Sequence, residues 1–536
     1  MASSWAISHA GSRGLLARAN GRRLAVAVAA KRNVHKAPPN NKPRVARLEL
    51  DNERLYTDAA YLPPPGAGPI TLVKAPGGGR AILATANIAP GEVVMVSSPV
   101  AFQTAPVGTD LRPEQLLQAL DAAQLSDAGS HRISLLYDGT VGSTSQVVPL
   151  DQFFNAEAHV KKAAAKAKAA AKGFGAKPVA AREPALATCR GFGDKQADSS
   201  VSQPPSADTI MQGGAAAPGR STVANSNSRR LEAVVKFNAY GHEHRDLAAC
   251  EARQEDDSAY VGLWPEYALL NHSCAPNTSA TLVGDRLVIR ASRAIERGSD
   301  VTVSYLQEMA MTPAQRRRQY LSGAYGFTCM CNRCKLEDSQ PEAVKQRVQS
   351  IHETVSSQEW QARTQAAYSS KDARLLRQMQ EDAKALTDAL EKDMDEAKVG
   401  PEVQPWLRAS AYSAYFLQAL GSDVGKKDQL AVPRSLLPYV AIVAPASDVH
   451  LLLTLEVLLR AAEQAKDSKE TESATRACIL AATLRYGNMS QGLLTKILDA
   501  IIKRDSYMGI FTVARPASRS TAAAATSEAV SKAAAA

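Results

Sequence analysis

Two short stretches constrain this chain more than anything else in it. They are Leu269-Leu270-Asn271-His272-Ser273-Cys274-Ala275-Pro276-Asn277 and, further along, Cys329-Met330-Cys331-Asn332-Arg333-Cys334. Four of the seven cysteines lie in these two pieces, three of them in a single C-x-C-x-x-C run. Such close spacing lets neighbouring thiolates grip one tetrahedral ion, and a fourth thiolate from elsewhere, Cys274, closes the shell. A closed four-thiolate shell describes structural zinc, with no open position for catalysis. The expected metal ligands are therefore Cys274, Cys329, Cys331 and Cys334. The ion's expected task is to fasten the segment around Tyr325 and Phe327 against the Asn271-His272 turn, where a substrate is to be sought.

At 536 residues the chain exceeds what one core serves, so two or three units with tails are expected. Residues 1–48 hold ten Lys or Arg and no acid, the composition of an organelle transit peptide rather than a secretory signal. A plastid or mitochondrial address is expected from it, with nucleus or cytoplasm as the alternative. No apolar run approaches the ~18 residues of a membrane span. Cys189, Cys250 and Cys478 stand at no ligand spacing and read as ordinary cysteines in a reducing setting.

Extended runs are expected at Ile70–Val73, Arg80–Ala84 and Glu92–Val96, together a small β meander. Ala280–Val283 and Arg286–Arg290 face each other across Gly284-Asp285, a two-residue hairpin signal. Val301–Tyr305 reads as another strand. Thr312-Pro313-Ala314-Gln315 opens a helix, with Thr312 as N-cap and Gln315 completing a capping box, and Gly323 ends it. Within about 155 to 230, Lys161 to Lys177 carries six lysines without an acid, and the chain then grades into Ser, Pro, Gly and Ala with only two aromatics, Phe174 and Phe192. Such a segment cannot bury enough area to offset its ordering entropy, so a disordered or partly helical insertion is expected. Its lysines would bind nucleic acid non-specifically at most. Beyond Gln340 helical patterns dominate, as in Leu451–Glu463 and Gln491–Ile502. His242-Glu243-His244 imitates a metal cluster but lacks further partners.

The words Gly262-Leu263-Trp264-Pro265, Leu269 to Cys274, Val303-Ser304-Tyr305-Leu306, Tyr325-Gly326-Phe327 and the C-x-C-x-x-C, in this order and spacing, resemble the SET domain of protein-lysine methyltransferases, most of all the SET-and-MYND (SMYD) type. A matching N-terminal piece runs from Gly79 through Glu92, so the SET domain is split, as in that family. The resemblance implies an α+β chain: a β-rich, pseudoknot-type SET domain with structural zinc in its post-SET segment, followed by an all-α domain, a bundle or TPR-like. The corresponding division is 1–48 leader, 68–105 N-terminal SET piece, 106–235 insertion, 236–308 core SET, 309–338 post-SET, 340–510 helical domain and 511–536 tail. The family's MYND finger needs seven cysteines and a histidine between the SET halves; here that interval holds Cys189 and Cys250.

The implied activity is transfer of a methyl group from S-adenosyl-L-methionine to the side-chain amine of a protein lysine, histone or otherwise. The alternative is a catalytically inactive SET scaffold that binds protein partners through its helical domain. The resemblance implies Tyr305 as catalytic tyrosine and Tyr325 and Phe327 as lining of the lysine channel. It places the cofactor on Gly79, Arg80, Ala81, Asn238, Asn271, His272, Tyr305 and Phe327, with His272 acting partly through its backbone. The chain departs from the family at Gly78, Arg80 and Ala268.

Overall fold

The computed structural model describes residues 47–75, 79–122, 125–140, 147–158, 160–161, 222–370, 372–422, 431–447, 449–451, 453–454 and 468–503. The basic leader up to residue 46, Gly78, Cys189, the lysine-rich tract beyond 161, part of Leu451–Glu463 and the C-terminal tail lie outside the described residues.

After a short helix, α1 (Asn52–Thr57), come β1 (Gly66–Ala67), β2 (Ile70–Lys74), β3 (Arg80–Ala84), β4 (Val93–Ser97) and β5 (Ala101–Ala105). Helices α2 (Gln115–Ala122), α3 (Asp127–Ser134), α4 (Asp151–Phe154) and α5 (Thr222–Asn238) follow. Then come β6 (Ala239–His242), α6 (Leu247–Arg253), β7 (Ala259–Leu263), a 3-10 turn at Tyr267–Leu269, and β8 (Asn271–His272). The hairpin β9 (Thr278–Val283) and β10 (Arg286–Ala291) leads to β11 (Thr302–Val303). Four small sheets result: β1-β4-β10-β9, β2-β3, β5-β7-β6 and the parallel pair β8-β11.

The expected hairpin forms across Gly284, which takes φ +60° and where a Cβ would stand 2.4 Å from Leu62 Cδ2. The expected meander does not form. β2 and β3 pair with each other, but β4 leaves them to pair with β1 and β10. All five residues of β4 are buried, so it is a central strand and takes partners on both sides. The predicted strand Val301–Tyr305 shrinks to two residues because Tyr305 turns its backbone away toward His272.

Helix α5 begins at Thr222, within the stretch expected to be disordered or partly helical. The apolar residues of α2, α3 and α5, among them Leu116, Ile133, Val234 and Val235, share a core with Ala101, Val261 and Leu263 of the β5-β7-β6 sheet. Part of the interval between β5 and β6 is thus bound to the sheet it interrupts.

Helix α7 runs Ala314–Tyr325, with Pro313 rather than Thr312 at its N-cap and no side-chain capping bond. The Thr312 hydroxyl donates instead to the carbonyl of Met309 at 2.8 Å. Exposed Gly323 does not end the helix. Gly326 does, in the left-handed region at φ +74°, donating its N–H to the Ser322 carbonyl. Tyr325 is therefore the last helical residue, rigidly presented. Next come α8 (Asn332–Asp338), α9 (Glu342–Ser356), α10 (Gln358–Ser370), α11 (Ala373–Glu396), α12 (Gln404–Ser410), α13 (Tyr412–Ser422) and α14 (Ala431–Val443). Residues of α9 to α14 share one core, including Val348, Leu390, Phe416 and Val440. The last described helices, α15 (Ser468–Tyr486) and α16 (Gln491–Lys503), pack instead with α1, α6 and the β4–β10 sheet. No described helix is long and apolar enough to cross a membrane.

Candidate active site

Cys274 follows β8, Cys329 lies in the turn between α7 and α8, Cys331 is the N-cap of α8 and Cys334 sits in its first turn. Their ligand atoms all lie within 4.8 Å of one another. Cys274 Sγ stands 3.8 Å from Cys329 Sγ and 3.6 Å from Cys334 Sγ. A tetrahedron with Zn–S bonds of about 2.3 Å has S···S edges of about 3.8 Å, so these four sulfurs fit a zinc ion. Hydrogen bonds from Cys274, Cys329 and Cys334 hold the Cys331 thiol far below its ordinary pKa, while hydrogen bonds within the cluster push the Cys274 thiol well up. His244 Nδ1, by contrast, sits 2.9 Å from Asp257 Oδ2. Among the described residues the four cysteines are the one His/Cys/Asp/Glu group with metal-holding geometry.

The parallel pairing of β8 with β11 sets Asn271 beside Thr302 and His272 beside Val303. It brings Tyr305 over the histidine: the Tyr305 N–H donates to His272 Nδ1 at 3.1 Å. With Nδ1 accepting, the ring proton belongs on Nε2, which lies 3.3 Å from Cys274 Sγ. Burial pushes the His272 pKa down to about 4, so the ring is neutral. Both its nitrogens are engaged inside the protein.

The Tyr305 hydroxyl donates to the Leu270 carbonyl at 2.5 Å, leaving its oxygen lone pairs free to accept. Its ring lies 4.9 Å from Tyr325 and 6.4 Å, at 86°, from Phe327. Phe327 also lies 6.1 Å from the His272 ring. The same side chains pack on the cysteines, so the aromatic rings and the four-cysteine group form one cluster. Burial, reinforced by Tyr325, raises the Tyr305 pKa, and the phenol stays protonated.

Two aromatic residues given no role in the sequence reading complete the wall. Tyr240 and Tyr267 lie 5.1 Å apart. Burial first, then the nearby hydroxyls of Tyr240, Tyr305 and Tyr325, push the Tyr267 pKa well up. Nothing local marks Tyr267, which sits on the 3-10 turn; the signal for Tyr240 was its place in Phe237-Asn238-Ala239-Tyr240.

Exposed Asn271 donates its amide to the Arg80 carbonyl at 2.7 Å, tying β8 to the start of β3 beside Gly79, whose φ is +76°. The Arg80 guanidinium turns away and donates to the Leu135 carbonyl at 2.6 Å, while Ala81 is buried in β3. Asn238 directs its amide to the carbonyls of Tyr137, at 2.7 Å, and Val234, at 2.6 Å, leaving only Oδ1 to receive a ligand's proton. The structure thus gathers Asn271, His272, Tyr305, Tyr325, Phe327 and the four cysteines. Gly79–Ala81 adjoin them through their backbone.

A cavity of about 300 Å³ opens between the SET sheets and the helical region, lined among others by Tyr240, Tyr267, Ser304, Thr312, Tyr412 and Ala446. It shares Tyr240 and Tyr267 with the aromatic wall.

Residues 79–306 match the SET domain family model. The chain is 43% identical over 93 residues to the histone-lysine N-methyltransferase SMYD3 of Mus musculus, covering 17% of this chain and 21% of that protein. To the human protein of the same name it is 37% identical over 139 residues, covering 24% and 32%. To the N-lysine methyltransferase SMYD2 of Gallus gallus it is 33% identical over 96 residues, covering 18% and 22%. The matched part spans about a third or less of the length of these curated relatives.

Proposed function

We propose, from the SET domain of the SMYD lysine-methyltransferase type that this chain carries, that it transfers a methyl group from S-adenosylmethionine to the side-chain amine of a protein lysine. The carrying observation is the convergence of Tyr305, Tyr325, Tyr240 and Tyr267 beside Asn271, on a frame fixed by His272 and the cysteines. Bound S-adenosylmethionine supplies the methyl group as a sulfonium that departs as a neutral thioether.

The protein's own residues supply position and a dry, apolar channel. Asn271, exposed beside the left-handed Gly79, is placed to receive the cofactor. Free lysine has a pKa of about 10.4, and an aromatic channel disfavours its charged form. The Tyr305 oxygen, its proton held by Leu270, accepts from the neutral amine and aligns the lone pair with the methyl group. The cavity behind Tyr240 and Tyr267 is where the polypeptide bearing the lysine enters.

Calorimetric titration of S-adenosylmethionine into the full chain tests this reading, paired with mass spectrometry of cell-extract proteins incubated with both. Micromolar binding with new methyl-lysine upholds it. Folded, zinc-loaded protein that neither binds the cofactor nor methylates would leave the partner-binding scaffold.

A further inference from the structure

Behind the four cysteines lies a charge cluster that the methyl transfer does not use. Arg317 of α7 and Arg333 of α8 are each 0% exposed, Ser410 2% and Glu337 4%. Arg317 Nη2 donates to Glu337 Oε2 at 2.6 Å and faces Cys334 Sγ at 3.7 Å. Its Nη1 donates to the Thr312 carbonyl at 2.5 Å and to Ser410 Oγ at 3.2 Å. Arg333 Nε donates to Glu337 Oε1 at 2.7 Å. Its Nη1 donates to the carbonyls of Cys274, at 3.0 Å, and Ala310, at 2.7 Å, and its Nη2 to Ser410 Oγ at 2.8 Å.

The two guanidiniums therefore grip both walls of the cavity from behind. Ala310 and Thr312 belong to one wall; Ser410 ends α12 and stands two residues before Tyr412 of the other.

One carboxylate cannot balance two buried guanidiniums, and an uncompensated buried charge is strongly destabilising. Four thiolates around a divalent ion carry a net charge of minus two and provide the missing negative charge a few ångströms away. We infer that Arg317 and Arg333 are positioning residues that couple metal occupancy of the four-cysteine centre to the seating of the helical region, and hence to the shape of the cavity. Such coupling is reciprocal: whatever loosens Ser410 weakens the hold on the metal. The inference rests on the zinc reading of the cysteines.

The test uses the full chain, with zinc stoichiometry measured on every sample and release followed with a chelating dye. Ser410→Ala touches no cysteine. It should purify with one zinc per chain and release it about tenfold faster, a difference of about 1.4 kcal/mol. Ser292→Ala, a buried serine of the SET body, should release zinc as the parent does. Loaded Ser410→Ala releasing zinc at the parental rate, or Ser292→Ala accelerating it equally, would overturn the coupling while leaving the metal site standing. Zinc-free folded parent would overturn the metal site itself and the coupling with it.

Should Ser410→Ala fail to fold, hydrogen exchange of the parent during graded chelation decides. Protection lost together at 310–313 and 410–414, with β2 and β3 unchanged, supports the coupling. Loss confined to 326–336 overturns it.

Discussion

The backbone N–H of Tyr305 donates to Nδ1 of His272 at 3.1 Å, so the candidate catalytic tyrosine is held by its main chain independently of its hydroxyl. Replacement of Tyr305 by Phe should therefore leave the fold in place. The lost hydrogen bond to Leu270 is worth about 1 kcal/mol. Turnover should fall by about 10²–10³-fold, as when one preorganised polar group is removed from an active site. Labelled-methyl transfer and a melting curve on the same preparation check both; a rate within a few-fold of the parent would remove Tyr305 from the chemistry.

Cys331→Ser should behave oppositely. A structural zinc–thiolate site contributes on the order of 10 kcal/mol, comparable with the whole stability of a domain. Zinc content should drop from one per chain toward zero, and the 326–336 segment should become cleavable by protease. Full zinc occupancy in the variant would show that Cys331 is not a ligand.

Arg485 of α15 donates to Asp246 Oδ2 at 2.7 Å and to the Ala446 carbonyl at 2.9 Å, and Tyr486 donates to Asp246 Oδ1 at 3.1 Å. Arg485→Met leaves the Asp246 carboxylate buried without its cation, and chemical denaturation should register a loss of about 3–5 kcal/mol. Adding Asp246→Asn should restore part of it, because Asn still accepts from the Ala249 N–H that Asp246 caps. A loss below about 1 kcal/mol would mean the pair contributes no more than an exposed one.

His450 accepts the Ala446 N–H on Nδ1 at 3.0 Å, and burial pushes its pKa down to about 4 from the usual 6.5. The unfolded chain takes up a proton between these values and the folded chain does not. Stability contributed by the neutral ring is thus present above pH 6.5 and lost as pH falls toward 4, by up to roughly 3 kcal/mol. Denaturation midpoints of the parent and of His450→Gln between pH 7.5 and 4.5 should show the shallower slope in the variant. Parallel slopes would contradict the assignment.

Much of the site was legible because its chemistry is local. The C-x-C-x-x-C run and the Asn-His-Ser-Cys word dictated the metal cluster. The residues around Tyr305 and Tyr325 were fixed by motif. What escaped was non-local: β4 abandons its sequence neighbours for β10, a choice made by burial on both faces rather than by alternation. Tyr267 joins the aromatic cluster from a turn without periodic signal. The Thr312 cap failed because its hydroxyl found the Met309 carbonyl, a competitor that the capping-box pattern does not encode. Arg317 and Arg333 stand in no motif that foretells their complete burial by the fold.

The bond from Asn271 to the Arg80 carbonyl joins residues 191 apart, and β4 meets β10 across a similar interval. Closing a flexible loop grows dearer only with the logarithm of its length, by about 0.6 kcal/mol per doubling. Helices α2, α3 and α5 of the stretch between β5 and β6 belong to the core of the sheet, so only length added or removed outside them leaves equilibrium stability little changed. Its influence falls on rate, since pairings this distant must wait for the loop to close. Trimming outside α2, α3 and α5 should speed refolding while leaving the denaturation midpoint nearly unchanged.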